Sequence, residues 1–112
     1  MKVYTGAFSD WHDVTSEFDI DCAEPTHVFA SYDTDGYEGY AFVVFSNGEG
    51  WKFASGSHCS CYGLEGQWEP EDFSLDNYFA AKEKDKELLT VYDKQARDEL
   101  HEFLLNFKKE AE

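Results

Sequence analysis

Tyr37-Glu38-Gly39-Tyr40-Ala41-Phe42-Val43-Val44-Phe45 is the run whose reading decides the fold. Aromatic and β-branched side chains fit a pleated surface, so the run is predicted to be a strand. Side chains alternate across a strand, which turns Tyr40, Phe42 and Val44 one way and Ala41, Val43 and Phe45 the other. Both faces are apolar, so the strand belongs in the middle of its sheet with a cover on each side. Asp35-Gly36 before it and Asn47-Gly48 after it are turn signals. Beyond those turns, residues 26–32 and 50–54 read as strands, the latter with Trp51 and Phe53 on one face. The three are predicted to form an antiparallel meander.

Helical patterns lie on either side of this meander in the sequence. Upstream, Trp11, Val14 and Phe18 are spaced for one apolar helix face, with Ser9 or Asp10 as N-cap. Lys2-Val3-Tyr4 reads as a short strand before that helix, and Pro25 terminates the segment after it. Downstream, Ala96, Leu100, Phe103, Leu104 and Phe107 form a helical stripe, with Asp93 as N-cap and Lys108 and Lys109 suited to the C-terminal dipole. Between sheet and last helix, residues 64–68 are predicted to return as a fourth short strand, 69–72 to be a break and 76–81 a short helix. Residues 82–87 alternate in charge without an apolar stripe and read as a solvated helical face or a loop. The expected fold class is α+β: a single domain over residues 1–112, an antiparallel meander sheet with a C-terminal amphipathic helix packed on it.

Charge is lopsided. The 112 residues hold 24 Asp and Glu against 9 Lys and Arg, a net −15. Residues 1–80 carry 15 acids and only Lys2 and Lys52, a balance of −13. Such a field repels nucleic acid and anionic membranes and speeds association with basic protein surfaces. It also serves solubility alone. Asp33, Asp35, Glu38, Glu65, Glu69, Glu71 and Asp72 lie near predicted turns and are the candidate partner-binding residues. No apolar targeting segment opens the chain, and no apolar run approaches the ~20 residues that span a bilayer. The expected compartment is the cytoplasm, where structural disulfides are rare.

Ser57-His58-Cys59-Ser60-Cys61-Tyr62-Gly63 holds two of the three cysteines; Cys22 is the third. In an extended segment Cys59 and Cys61 share a face, so both thiolates can reach one metal, and Cys22 can complete three ligands from another element. His58 adjoins the pair and comes round if the chain bends at Gly56; His27, five residues after Cys22, is the alternative fourth ligand. A full set of three thiols and an imidazole leaves no open position, so the zinc it would hold is structural. The plainer reading is free cysteines buried as small hydrophobes. Cys59 beside His58 as a nucleophile is the enzymatic reading, but adjacent residues do not readily place an imidazole on a thiol. Asp33-Thr34-Asp35-Gly36 carries part of a calcium-loop pattern, but its glycine comes too early for that loop, and a hairpin turn fits better. No Gly-rich phosphate loop and no spaced Ser/His/Asp set is present, so no catalytic residue is assigned and the chain is expected not to be an enzyme.

Residues 58–71, with Cys59-Ser60-Cys61-Tyr62, Trp68 and Pro70-Glu71, resemble small acidic bacteriophage proteins that carry a Cys-x-Cys-Tyr followed by a tryptophan and Pro-Glu. Among those, the chain looks like an anti-CRISPR protein of the type II class. The resemblance implies a cytosolic inhibitor that binds a single-protein RNA-guided nuclease directly, with Cys22, Cys59, Cys61 and a histidine as a structural zinc site. Such nucleases hold nucleic acid in positively charged channels, and an acidic protein can hinder target DNA loading there. The alternatives are an acidic DNA mimic acting on restriction enzymes or other host DNA-binding proteins, and a zinc-stapled interaction module.

Overall fold

A strand that is apolar on both faces needs two covers, and the chain supplies them from opposite ends. In a computed structural model, the described residues are 1–35, 38–48, 50–58, 63–86, 88–89, 91 and 93–111, with Asp35, Glu110 and Ala111 described by backbone alone. Five strands, β1 (Lys2–Gly6), β2 (His27–Asp35), β3 (Glu38–Ser46), β4 (Trp51–His58) and β5 (Glu71–Phe73), form one sheet in sequence order. Three helices accompany them: α1 (Trp11–Phe18), α2 (Leu75–Glu83) and α3 (Lys94–Ala111). The expected central strand is β3, the third of five.

Its two faces feed two separate cores. Ala41, Val43 and Phe45 join Val28, Ala30 and Tyr32 of β2 under Trp11, Val14 and Phe18 of α1. Phe42 and Val44 join Phe29, Trp51 and Tyr78 under Ala96, Leu100, Phe103 and Leu104 of α3. The α1 spacing therefore reads correctly, and all three of its apolar residues are buried. Asp10 is the cap: its side chain accepts from the Asp13 backbone N–H, and Asp19 ends the helix in the left-handed region at φ 55°. On β4, Gly56 lets α1 land close, since a Cβ there would stand 3.0 Å from the Phe18 ring.

The sheet is mixed rather than a pure antiparallel meander. β2 to β5 are antiparallel, but β1 pairs with β2 in parallel, Lys2 opposite Val28 and Gly6 opposite Tyr32. A parallel neighbour requires a crossover, and α1 provides it. β1 stops at Gly6, whose φ of 68° and overlap of any Cβ with the Tyr32 carbonyl oxygen admit only glycine. The predicted fourth strand over 64–68 is absent. There Leu64 is buried, the Gln67 N–H closes a turn on the Leu64 carbonyl, and Trp68 packs on Phe18 and Phe45. The Gln67 side-chain amide accepts from Ser57 N–H and donates to Ser57 and Gly63 carbonyls, doing beside β4 what a strand backbone would have done. The strand beside β4 is β5 instead, which begins within the stretch 69–72 predicted to be a break and runs on to Phe73, with Lys52 and Asp72 paired at 2.7 Å.

The remaining expectations hold with shifted ends. α2 runs longer than 76–81 and is capped by Ser74, which accepts from Asn77 N–H. Asp93 stands before α3, its carbonyl accepting from Arg97 N–H at 3.0 Å. Gly36 and Tyr37 of the first turn lie outside the described residues, and β2 and β3 pair up to Asp35 opposite Glu38. Among the described residues no helix is long and apolar enough to cross a membrane.

Glu24 ties the segment between α1 and β2 to β1: Lys2 Nζ and the Tyr4 hydroxyl each donate to its carboxylate at 2.7 Å. Those bonds hold its carboxyl below the usual range, while burial and then Glu24 push the Tyr4 hydroxyl up. A carboxyl depressed in the folded state adds stability above its unfolded value and loses it as the pH falls through the folded one. Glu24→Gln is expected to lower the melting temperature at neutral pH and to close the gap to wild type as the pH drops below about 4.5; a gap constant over that range would count against the bonds. Phe103 is 4% exposed, against Phe29 and Trp51. Phe103→Ala is expected to cost ~3–5 kcal/mol in urea denaturation, and a loss well under that would argue against α3 as the cover of this core.

Candidate functional site

The seven candidate acids do not form one patch. Asp33 on β2 and Glu38 on β3 are exposed at the end of the sheet where those strands meet, and by strand alternation both belong to the α3 side. The side chain of Asp35 is outside the described residues. Glu65 is exposed in the turn after β4, on the α1 side; burial, then Glu17, then Glu65, push the Tyr32 hydroxyl up from its ordinary value. Glu69, Glu71 and Asp72 are exposed at the other edge, in and before β5. From the level of Ser57, opposite Tyr40 and Asp33, to Phe53, opposite Glu71, is four residues of β4, about 13 Å at the usual rise. The groups thus stand farther apart than the ~8 Å over which exposed charges act at physiological salt. The two lysines of residues 1–80 are both spent internally: Lys2 on Glu24 and Lys52 on Asp72, each at 2.7 Å.

A different surface has the concave form that a binding site needs. Between β1 and α3 runs a groove of about 830 Å³, with Met1, Val3, Phe29 and Phe103 along its apolar floor. Glu99, Glu102, Asn106 and Lys109, three and four residues apart, bring one stripe of α3 to its wall. Thr5 and Glu99 also line a smaller hollow of about 170 Å³ that includes Asp33 and Asp93. Of the candidate acids, Asp33 lines this hollow, and Asp72 lines a separate cavity of about 550 Å³ between β4 and β5, beside Lys52 and Trp51. Glu99 and Glu102 escaped the sequence reading, and Asp93 entered it only as a helix cap, because the last 32 residues are nearly neutral in sum; the helical period would have separated the Glu99 and Glu102 stripe from the apolar one beside it.

The chain matches no family model, no curated protein and no solved structure.

Of the predicted zinc ligands, Cys59 and Cys61 lie outside the described residues. Cys22 is exposed; its carbonyl accepts from Trp11 Nε1 at 2.7 Å, and Glu24 two residues on is bound to β1. His58 closes β4, with β2 and β3 between it and β1, and its ring stands edge-on to Tyr32 with centroids 5.8 Å apart. His27, the alternative ligand, belongs to the other face: its ring meets Phe107 and Trp51, and its Nδ1 is 3.1 Å from the terminal amine. Among the described residues no group of three His, Cys, Asp or Glu could hold a metal ion.

Proposed function

We propose that this chain is an acidic binding protein that occupies a basic, nucleic-acid-handling surface of a nuclease and so hinders DNA loading, with a type II CRISPR effector as the first target to test. One observation carries this reading. Residues 1–80 hold 15 acids against two lysines, and both lysines are bound to carboxylates of the chain itself. The field that residues 1–80 offer a partner is therefore one-signed, and such a field raises encounter rates with a basic surface and weakens with salt. The acids stand in separate groups, so a partner meets one group at a time. The β2–β3 end, with Asp33 and Glu38, and the β5 edge, with Glu69 and Glu71, are the two faces to separate. In this reading the chain acts by occupancy and carries no catalytic residue.

The test is DNA binding and cleavage by the guide-loaded nuclease with and without the protein. Inhibition is expected, with association slowed as salt rises. Asp33→Lys with Glu38→Lys, or Glu69→Lys with Glu71→Lys, is expected to abolish it, whichever pair faces the nuclease, with the melting temperature unchanged. Full cleavage at large molar excess, with no complex on a sizing column, would remove this target and turn the same assay to restriction enzymes.

A structural zinc held by Cys59, Cys61 and further ligands from Cys22 and His58 belongs to the same proposal. Purified protein is expected to carry about one zinc, lost in Cys59→Ser and Cys61→Ser together with stability, because ligand binding energy is folding energy in such sites. Metal-free protein whose melting ignores chelator would exclude it.

A further inference from the structure

The β1 edge and the helix beside it make a site that net charge does not reveal. The Met1 carbonyl accepts from Val28 N–H and the Tyr32 carbonyl from Ala7 N–H, at the two ends of the ladder. In a parallel pair alternate residues bond to the same neighbour, so Met1, Val3, Thr5 and Ala7 face β2. The N–H and C=O groups of Lys2, Tyr4 and Gly6 then point out of the sheet, and among the described residues no strand pairs with β1 on that side. Natural edges are commonly guarded by a lysine whose charge repels an incoming strand. Here Lys2 reaches Glu24 and its charge is matched, so the edge is left able to pair.

The edge opens onto the apolar floor of Met1, Val3, Phe29 and Phe103. Above that floor the wall is graded along its length. Lys109 stands near Met1, Glu102 and Glu99 come next, and beyond Thr5 the hollow with Asp33 and Asp93 continues the acidic end. Asp98 is bound to Lys94 at 2.8 Å and contributes less. An occupant must therefore present backbone to β1, apolar side chains to the floor and cations toward Gly6.

We propose that this trough binds an extended basic segment of a partner protein, which adds a sixth strand to β1 with Val- or Ile-like side chains on the floor and Lys or Arg against Glu99, Glu102 and Asp33. Main-chain hydrogen bonds give such a contact its affinity, and alternate side chains give it specificity. The inference shares with the blocking reading Asp33 and the premise that the chain binds a basic protein segment, and it commits to a place and a conformation for the contact.

The probe is a short labelled peptide that carries Val and then Lys at alternate positions, so that both share the face turned toward α3, with Thr at the positions between; it is titrated into the full chain, with backbone amide NMR alongside. Binding is expected to move the amide signals of Lys2, Tyr4 and Gly6. The same peptide N-methylated at alternate amides keeps its charge and loses strand pairing; it is expected to bind at least about tenfold more weakly, a difference of ~1.4 kcal/mol. Glu99→Lys with Glu102→Lys is expected to weaken the unmodified peptide by a similar factor. Glu69→Lys with Glu71→Lys, the same change of charge at the opposite edge, is expected to leave it nearly unchanged. Equal binding of the N-methylated peptide, equal loss in both charge pairs, or no binding at all would overturn the proposal. Peptide binding without nuclease inhibition would keep the groove and reject the target, and inhibition without peptide binding would do the reverse.

Discussion

Everything in this fold depends on one strand with no polar face. β3 buries Ala41, Val43 and Phe45 on one side and Phe42 and Val44 on the other. Water must be kept from both, and a short chain has few elements to do it with. α1 and α3, drawn from the two ends of the sequence, are committed to opposite faces. Using α1 as a cover has a topological cost. The chain must leave the sheet after β1 and re-enter it at β2 in the same direction, which is why the outermost pair is parallel in a sheet otherwise antiparallel.

What could be read from the sequence was local, and what could not was tertiary. The two-sided alternation of β3, the three- and four-residue steps of Trp11, Val14 and Phe18, and the stripe from Ala96 to Phe107 are each contained in one element. Side-chain period alone specifies them. The parallel partner of β1 is a matter of what lies beside it, and five residues carry no signal of that. At residues 64–68 the misreading has a specific cause. The Gln67 amide mimics a strand's pairing, so the backbone is free to turn and bury Leu64. β5 opens on Glu71 and Asp72 of Glu-Pro-Glu-Asp, a composition that disfavours strands in general but suits an edge where Asp72 meets Lys52. The groove joins residues 1–5 to residues 98–109, a separation over which no motif could have shown it.

Acidity in this protein is arranged rather than merely abundant. Among the described residues Lys2, Lys52 and Lys94 are held in pairs with Glu24, Asp72 and Asp98, and these pairs do local tasks: fastening a loop to β1, registering β5 and supporting the first turn of α3. Other carboxylates stand at the ends and edges of the sheet and along one wall of α3. Placement on rigid elements lets such charges be met in a fixed order by an approaching partner, which a solvated tail of equal charge could not do.

The three tryptophans divide between the two cores. Trp11 and Trp68 stand together on the α1 side, their centroids 6.3 Å apart, while Trp51 sits on the α3 side against Phe103 and Phe107. One sheet separates them. Intrinsic fluorescence therefore contains two reporters with distinct surroundings, and energy passing between Trp11 and Trp68 marks one of them. Read in variants that keep a single tryptophan, the emission would tell whether the two halves of the interior open as one cooperative unit or one cover lifts before the other.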